Sequence, residues 1–274
     1  MIIKIKEFVK ELLSEIKKDD IFSAANDLTY KIFFSVFPFA IFLMSAAGFM
    51  KLDESLLAER ILSVLPNVIK NYAETFITEI VAKRNANILS FSLIISVYSA
   101  SSGFRTAVQS INKAYGLKDE RRIYYKILTS AALVLIFGGI IILCFVLLIF
   151  GDNILSYLMS KTNGGYDFLF DIFNILRYII SVIILFFSVI LINKMALHKN
   201  KTTKFKYLFF GSLFTCAAWI SASALFNIYI ENFANYSAVY GSVGVIIILM
   251  MWINIMCSAL LIGSEINAIA EDKR

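Results

Sequence analysis

The 274-residue chain has few of the residues that build disulfide frameworks, metal sites and linkers. It contains three cysteines, one histidine and two prolines, and 17% of its residues are charged. Cys144, Cys216 and Cys257 all fall inside apolar stretches, so neither a disulfide framework nor a metal site is predicted. A glycine loop of the GxxxxGK[ST] kind is also absent, so direct use of ATP is not expected and no cofactor is predicted.

Hydrophobic residues make up 59% of the chain, and they form six runs long enough to cross a bilayer. The clearest run, residues 127–150, has 24 residues without a charge. At about 1.5 Å per residue it exceeds a hydrocarbon core of about 30 Å. The other runs are residues 28–50, 88–111, 172–192, 207–230 and 241–263. All six are predicted to be helices, because an open strand in lipid would leave backbone groups unpaired.

The loops between the runs alternate between lysine-rich and lysine-poor, which predicts an orientation. The loops after the second and fourth runs each carry five basic residues and are predicted to be cytoplasmic, with both termini. The loop after the third run has only Lys161, and residues 231–240 have no basic residue, so both should face outward. Residues 51–87 also carry five basic residues, yet they must lie outside for the count to close.

The net charge of +6 is concentrated in the loops assigned to the cytoplasm. Basic residues beside a membrane attract anionic lipid headgroups, so the predicted partners are membrane lipids rather than nucleic acid. The chain is expected to be a single multi-pass domain, and its oligomeric state is left open.

Two segments outside the spans have amphipathic patterns. In residues 1–27, apolar positions such as Ile5, Leu12 and Ile16 recur at helical spacing, which predicts an amphipathic helix on the cytoplasmic leaflet. Residues 51–87 carry similar stripes broken near Pro66, which predicts a helical extracytoplasmic loop that is either a packed cap or a gate. The predicted fold is therefore all-α: a six-helix transmembrane bundle over residues 28–274, preceded by a cytoplasmic amphipathic segment over residues 1–27.

Polar side chains inside the predicted spans are the candidate site residues. A charge at the middle of the membrane costs about 2.5–3.5 kcal/mol on insertion scales, so each needs a partner or a wet cavity. In the second span the polar positions are three or four residues apart, which places them on one helical face. The candidates are Asp27, Lys31, Ser102, Arg105, Gln109, Asn112, Asn174, Arg177, Asn254, Ser258 and Glu265.

The predicted orientation sorts these residues by depth. All the charged candidates except Arg177 fall in the cytoplasmic half or at its boundary, whereas Asn174 and Arg177 lie near the outer end. Asp27 and Lys31 are four residues apart and are expected to pair. Arg105 and Glu265 either form a buried ion pair that fixes helix packing or mark a substrate pathway. Arg177 either extends to the outer interface or belongs to that pathway.

Three segments resemble the YihY/BrkB family of bacterial inner-membrane proteins. They are NDLTY with SVFP at residues 26–30 and 35–38, SSGFR at residues 101–105, and GSEINA at residues 263–268. Thr29 and Ser264 stand where the family has alanine, and Tyr98 stands near a usual tryptophan. The resemblance implies an inner-membrane location, a role in envelope integrity and serum resistance, and movement of lipids or other amphiphiles.

The family was once labelled a tRNA-processing ribonuclease, which the sequence does not support. Metal-dependent hydrolysis needs a cluster of histidine and aspartate ligands, and a serine nucleophile needs a histidine base. The single histidine, His198, lies in a lysine-rich loop. The chain is therefore not expected to be an enzyme.

The favoured hypothesis is a transporter of an amphiphilic, anionic envelope molecule such as a lipid. Arg105 and Lys31 would attract its phosphate or carboxylate, while Glu265 and Asp27 would balance those cations or carry a coupling proton. A scaffolding membrane protein without transport activity and a channel or exporter for small solutes are the alternatives. A polar cavity open to lipid and containing Arg105 and Glu265 would favour the amphiphile.

Overall fold

The computed structural model describes residues 2–49, 86–117, 121–160, 167–197, 203–232 and 236–272. The regular secondary structure in these ranges is helical. In chain order the helices are α1 (Ile2–Lys18), α2 (Ile21–Phe49), α3 (Ala86–Ala114), α4 (Ile123–Ser160), α5 (Asp167–Ala196), α6 (Phe205–Asn232) and α7 (Tyr236–Asp272).

Six of these helices, α2 to α7, are long and apolar enough to cross a membrane. This confirms the prediction of a polytopic all-α membrane protein. The first spanning helix begins at Ile21, so residues 21–27 belong to it and not to the amphipathic segment. Helix α4 continues to Ser160, beyond the predicted end at residue 150. The predicted helical loop at residues 51–87 lies outside the described residues, except for its last two positions, which begin α3.

Successive spanning helices run in opposite directions, and several contacts bring their polar ends together. The Asn112 side chain near the end of α3 donates to the carbonyl of Ala196 at the end of α5. Before α6, the Thr203 hydroxyl donates to Glu271 at the end of α7. We call this region the α1 end of the bundle, because α1 lies there. The described residues that flank the two lysine-rich loops thus lie at one end of the bundle; the side of the membrane that this end faces stays a prediction.

Helix α7 contacts α1, α2, α3 and α6. Its contact with α6 is very close. An added Cβ at Gly211 of α6 would lie 1.8 Å from the carbonyl oxygen of Gly263 in α7. Small residues at such a crossing let helix backbones approach in a membrane, where lipid supplies no hydrophobic drive for association.

Helix α3 buries small polar side chains and exposes large apolar ones, which is the reverse of a helix in a water-soluble protein. Its buried positions include Ser92, Ser96 and Thr106. Large apolar side chains such as Phe91 and Ile94 are exposed instead. This distribution suits a bundle whose outer surface meets hydrocarbon and whose interior can satisfy hydroxyl groups.

Helix α1 packs against the bundle through one apolar face. Ile16 is buried with Ile21 and Leu261 in a core cluster, whereas Leu13 on another face is 61% exposed. The chain turns between α1 and α2 at Asp20, which has a φ of 53°. Aspartate is one of the few residues that adopt this left-handed conformation readily. The amphipathic pattern of α1 therefore serves at least partly to attach it to α2 and α7.

Candidate functional site

A three-residue polar network joins α2 to α3. The Lys31 ammonium donates to Asp27 Oδ2 at 2.5 Å and to Thr106 Oγ1 at 2.7 Å. The Thr106 hydroxyl donates in turn to Asp27 Oδ2 at 2.8 Å. The predicted pair of Asp27 and Lys31 is thus present, and Thr106 is a member that the sequence interpretation missed.

Arg105 and Glu265 do not form an ion pair, so that alternative was wrong. Arg105 is half-buried, and its Nη1 donates to Ser101 Oγ on its own helix at 3.1 Å. Both carboxyl oxygens of Glu265 are buried and have no hydrogen-bond partner among the described residues. The helix rotations explain this result: Glu265 faces the end of α1, whereas Arg105 lies on a partly exposed face of α3.

Acidic groups surround Glu265. Its side chain is 0% exposed, and Asp19, Glu15 and Lys18 lie close enough to act on it electrostatically. Asp19, between α1 and α2, is itself 8% exposed. The Lys113 ammonium donates to the Asp19 backbone carbonyl at 2.7 Å and lies 4.0 Å from its Oδ1.

Buried amides and hydroxyls link α7 to its neighbours. Ser264 donates to Asn193 Oδ1 of α5 at 2.8 Å, and the backbone N–H of Gly211 in α6 donates to Asn267 Oδ1 at 2.7 Å. Asn193 and Asn267 are 0% exposed. Asn193 and Asn267 were not among the predicted site residues. The sequence did offer a signal for both, because each is a polar residue near the end of a predicted span.

The remaining candidates are dispersed. Asn254 of α7 donates to Asn26 Oδ1 at 2.8 Å and to Thr29 Oγ1 at 3.1 Å, which ties α7 to α2. The Arg177 guanidinium is half-buried and lies 5.2 Å from the centre of the Tyr178 ring. The side chain of Asn174 lies outside the described residues.

The predicted polar stripe on α3 does not form a single buried face. Asn112 is buried, Ser102 and Arg105 are half-buried, and Gln109 is exposed. Ser258 of α7 is also half-buried. The interior of α3 is instead a face of smaller groups, among them Gly103, where an added Cβ would lie 3.4 Å from Leu28 and Ile32 of α2. Close helix packing selects small residues, so the larger polar groups are turned away.

A cleft of about 380 Å³ opens between α2, α3 and α4. Its lining is apolar apart from a few hydroxyls, and it includes Ser35, Phe39, Ser96, Ala100, Phe104 and Gly138. Arg105 and Glu265 do not line it, so it is not the polar cavity that the sequence suggested. Lys31 precedes Ser35 by one helical turn and Arg105 directly follows Phe104. The backbone positions of two basic residues therefore adjoin the cleft lining on the side of the α1 end.

Tyr115 lies just after α3, outside the spanning segment, at the α1 end. Burial raises the pKa of Tyr115, and the negative charge of Glu271 raises it further, so this phenol stays protonated. Within the described residues there is no group of three histidine, cysteine, aspartate or glutamate side chains placed to hold a metal ion.

Comparison with known proteins places the chain among membrane proteins of bacteria. Residues 12–274 match the family described as "Virulence factor BrkB". A Bacillus subtilis relative named "Putative ribonuclease-like protein YfkH" is 30% identical over 97% of this chain and 96% of its own length. A "UPF0761 membrane protein" of Pseudoalteromonas atlantica is 23% identical over 96% of this chain and 86% of its own length.

A second membrane protein of this kind, from Idiomarina loihiensis, is 27% identical over 43% of this chain and 40% of its own length. No solved structure matches. The matched residues include the network of Asp27, Lys31 and Thr106 and the lining of the cleft. The candidate spanning helices agree with the membrane-protein names of two of these relatives. The chain is an integral membrane protein of the virulence factor BrkB family.

Proposed function

We propose that the protein moves an amphiphilic, anionic envelope molecule, such as a lipid, across a bacterial inner membrane. The observation that carries this proposal is the apolar cleft between α2, α3 and α4, with Lys31 and Arg105 beside one end of it. In this proposal the α1 end, with both termini, faces the cytoplasm, as the basic loops predict.

The two parts of an amphiphile would use different parts of this region. An acyl chain fits a lining of Phe39, Phe104 and Gly138, where it exchanges lipid contacts for similar apolar ones. A phosphate or carboxylate would meet Arg105, whose planar guanidinium binds such groups with two hydrogen bonds. Lys31 would exchange its contact with Asp27 for the headgroup, and Asp27 would balance Lys31 when the region is empty.

A scaffold without transport activity is the second candidate. It is supported by the hydrogen bonds that cross between helices, such as Ser264 to Asn193 and Asn254 to Asn26. Such bonds fix helix packing and need no substrate. Catalysis is not part of either proposal.

Reconstitution into liposomes tests the transport proposal. Lipids labelled on the headgroup are scored for exchange between leaflets with wild-type protein, Arg105→Ala, Arg122→Ala and empty vesicles. Arg122 is exposed before α4 and controls for the loss of one positive charge. We expect Arg105→Ala to reduce exchange of anionic lipids to the rate of empty vesicles and Arg122→Ala to leave it unchanged. Equal exchange by Arg105→Ala and wild type at equal folded protein would contradict the role of Arg105.

A further inference from the structure

We propose that α1 binds the headgroups of anionic lipids through a face of its own, next to the face that packs on the bundle. This lipid-binding face consists of Lys6, Val9, Lys10, Leu13 and Lys17. It is separate from the cleft, and it does not depend on what the protein transports.

The apolar part of the lipid-binding face differs from the stripe that holds α1 in place. Leu12 and Ile16 belong to the stripe that predicted a helix on the leaflet, but they pack with residues of α2 and α7 instead. Val9 and Leu13 lie one turn apart on the adjoining side of α1, and they are 46% and 61% exposed. This side therefore presents apolar groups that the bundle does not cover.

The charges of α1 are sorted by side. Three exposed lysines follow Leu13 around the helix, within about 40° of one another: Lys6, Lys10 and Lys17. Three glutamates recur every four residues on another side: Glu7, Glu11 and Glu15. Lys18 belongs to that acidic side, and its ammonium donates to Glu15. Positive charge thus lies beside the exposed apolar groups, and negative charge lies away from them.

The place of α1 in the chain favours a lipid surface as the partner. Helix α1 ends at Lys18, and the candidate spanning helix α2 begins at Ile21. Leu13 precedes Ile21 by eight residues, which is about 12 Å of helix. Between them, Asp20 has a φ of 53°, so α1 does not continue the course of α2. A helix with lysines beside apolar groups lies along the membrane surface and prefers anionic headgroups.

Two other helix starts mark the headgroup level at the α1 end. The Arg121 guanidinium just before α4 donates to the Ala196 carbonyl at the end of α5, and Tyr124 and Tyr125 follow it as exposed side chains. At the start of α6, the Lys206 ammonium lies 4.7 Å from the centre of the Tyr207 ring. Aromatic and basic residues of this kind are typical of the membrane interface. The lipid-binding face of α1 therefore belongs to the end of the bundle where headgroups are expected.

Fluorescence of the full-length protein in liposomes tests the lipid-binding face. A variant without the native cysteines carries an environment-sensitive thiol probe at Leu13→Cys, and Ser14→Cys, an exposed neighbouring position, is the control. The labelled proteins are reconstituted in phosphatidylcholine alone or with phosphatidylglycerol as the anionic lipid. We expect phosphatidylglycerol to shift the emission of the probe at residue 13 to shorter wavelength and to leave that of the probe at residue 14 unchanged.

Substitution of the lysines separates recognition of anionic headgroups from burial alone. Combined Lys6→Gln, Lys10→Gln and Lys17→Gln should abolish the shift, because each lysine near an anionic surface changes binding about fivefold. The control replaces three other exposed lysines with glutamine and should keep the shift: Lys18, Lys194 and Lys204. About 1 M salt, which screens charges beyond about 3 Å, should also abolish it.

Equal emission from residue 13 in both kinds of vesicle would overturn the proposal. A shift that survives loss of Lys6, Lys10 and Lys17, or an equal shift at residue 14, would overturn it as well. Gel filtration checks that each variant is folded. No transport is measured, so failure of this test is distinct from failure of the transport proposal.

Discussion

At the residue scale, two glycines allow α6 and α7 to touch. Replacement of Gly211 with alanine would place its Cβ 1.8 Å from the Gly263 carbonyl oxygen, so the helix backbones must separate. Overpacking of this kind costs about 1–3 kcal/mol or more. We expect Gly211→Ala to lower the thermal unfolding temperature in detergent clearly. Gly139→Ala is the control, because nothing lies within 4 Å of an added Cβ there; an equal loss in both variants would contradict this explanation.

Thr106 connects the charged pair of α2 to α3, and its hydroxyl is the group that matters. Thr106→Val keeps the shape but removes the contacts with Lys31 and Asp27. Hydrogen bonds between membrane helices contribute about 0.6 kcal/mol on average, so a small loss of thermal stability is expected. Thr106→Ser retains the hydroxyl and should preserve stability. The hypothesis fails if the serine variant loses as much as the valine variant.

Local pairs were predictable from sequence, and pairs between distant segments were not. Asp27 and Lys31 are one helical turn apart, so helix geometry alone brings them together. A contact between Arg105 and Glu265 depends on how α3 and α7 rotate about their axes. That rotation is set by close packing at positions such as Gly103, Gly211 and Gly263, which the charge pattern does not encode.

At the element scale, attachment of α1 depends on the apolar face that contains Ile16. Ile16→Ala removes buried methylene groups, and such changes cost about 2–5 kcal/mol in well-packed cores. Leu13→Ala changes a side chain that is 61% exposed and should have little effect on packing. We expect Ile16→Ala to speed proteolysis at the lysines of α1, and Leu13→Ala to leave the rate unchanged. Equal proteolysis of both variants would show that Ile16 does not hold α1 in place.

Six spans were predictable because hydrocarbon thickness sets the length of each apolar run. The helix ends were less predictable. Residues 21–27 lack a long apolar run, yet they continue α2 because Ile21 and Ala25 pack in the core. The site followed the same division: the residue types were evident from sequence, whereas the apolar cleft arises from contacts between distant segments.

At the scale of the whole molecule, the orientation of the bundle is open to a labelling test. Lys194 is exposed in the last turn of α5, next to a lysine-rich loop, and is predicted to face the cytoplasm. In a background without the native cysteines, Lys194→Cys should react with an impermeant thiol reagent only after cells are permeabilised. Lys161→Cys, predicted to face outward, should react in intact cells. The reverse pattern would invert the orientation and place Lys31 and Arg105 near the outer side.

The proposed transport requires that an amphiphile passes through the cleft between α2, α3 and α4. The most direct measurement is leaflet exchange of a labelled anionic lipid in liposomes that contain a variant with a filled cleft. Ala100→Trp adds a large ring to the cleft lining, and Leu225→Trp places the same ring on an exposed position of α6. Exchange should fall to the rate of empty vesicles with Ala100→Trp and remain at the wild-type rate with Leu225→Trp. Undiminished exchange by a folded Ala100→Trp protein, or no exchange by the wild type, would contradict passage through this cleft.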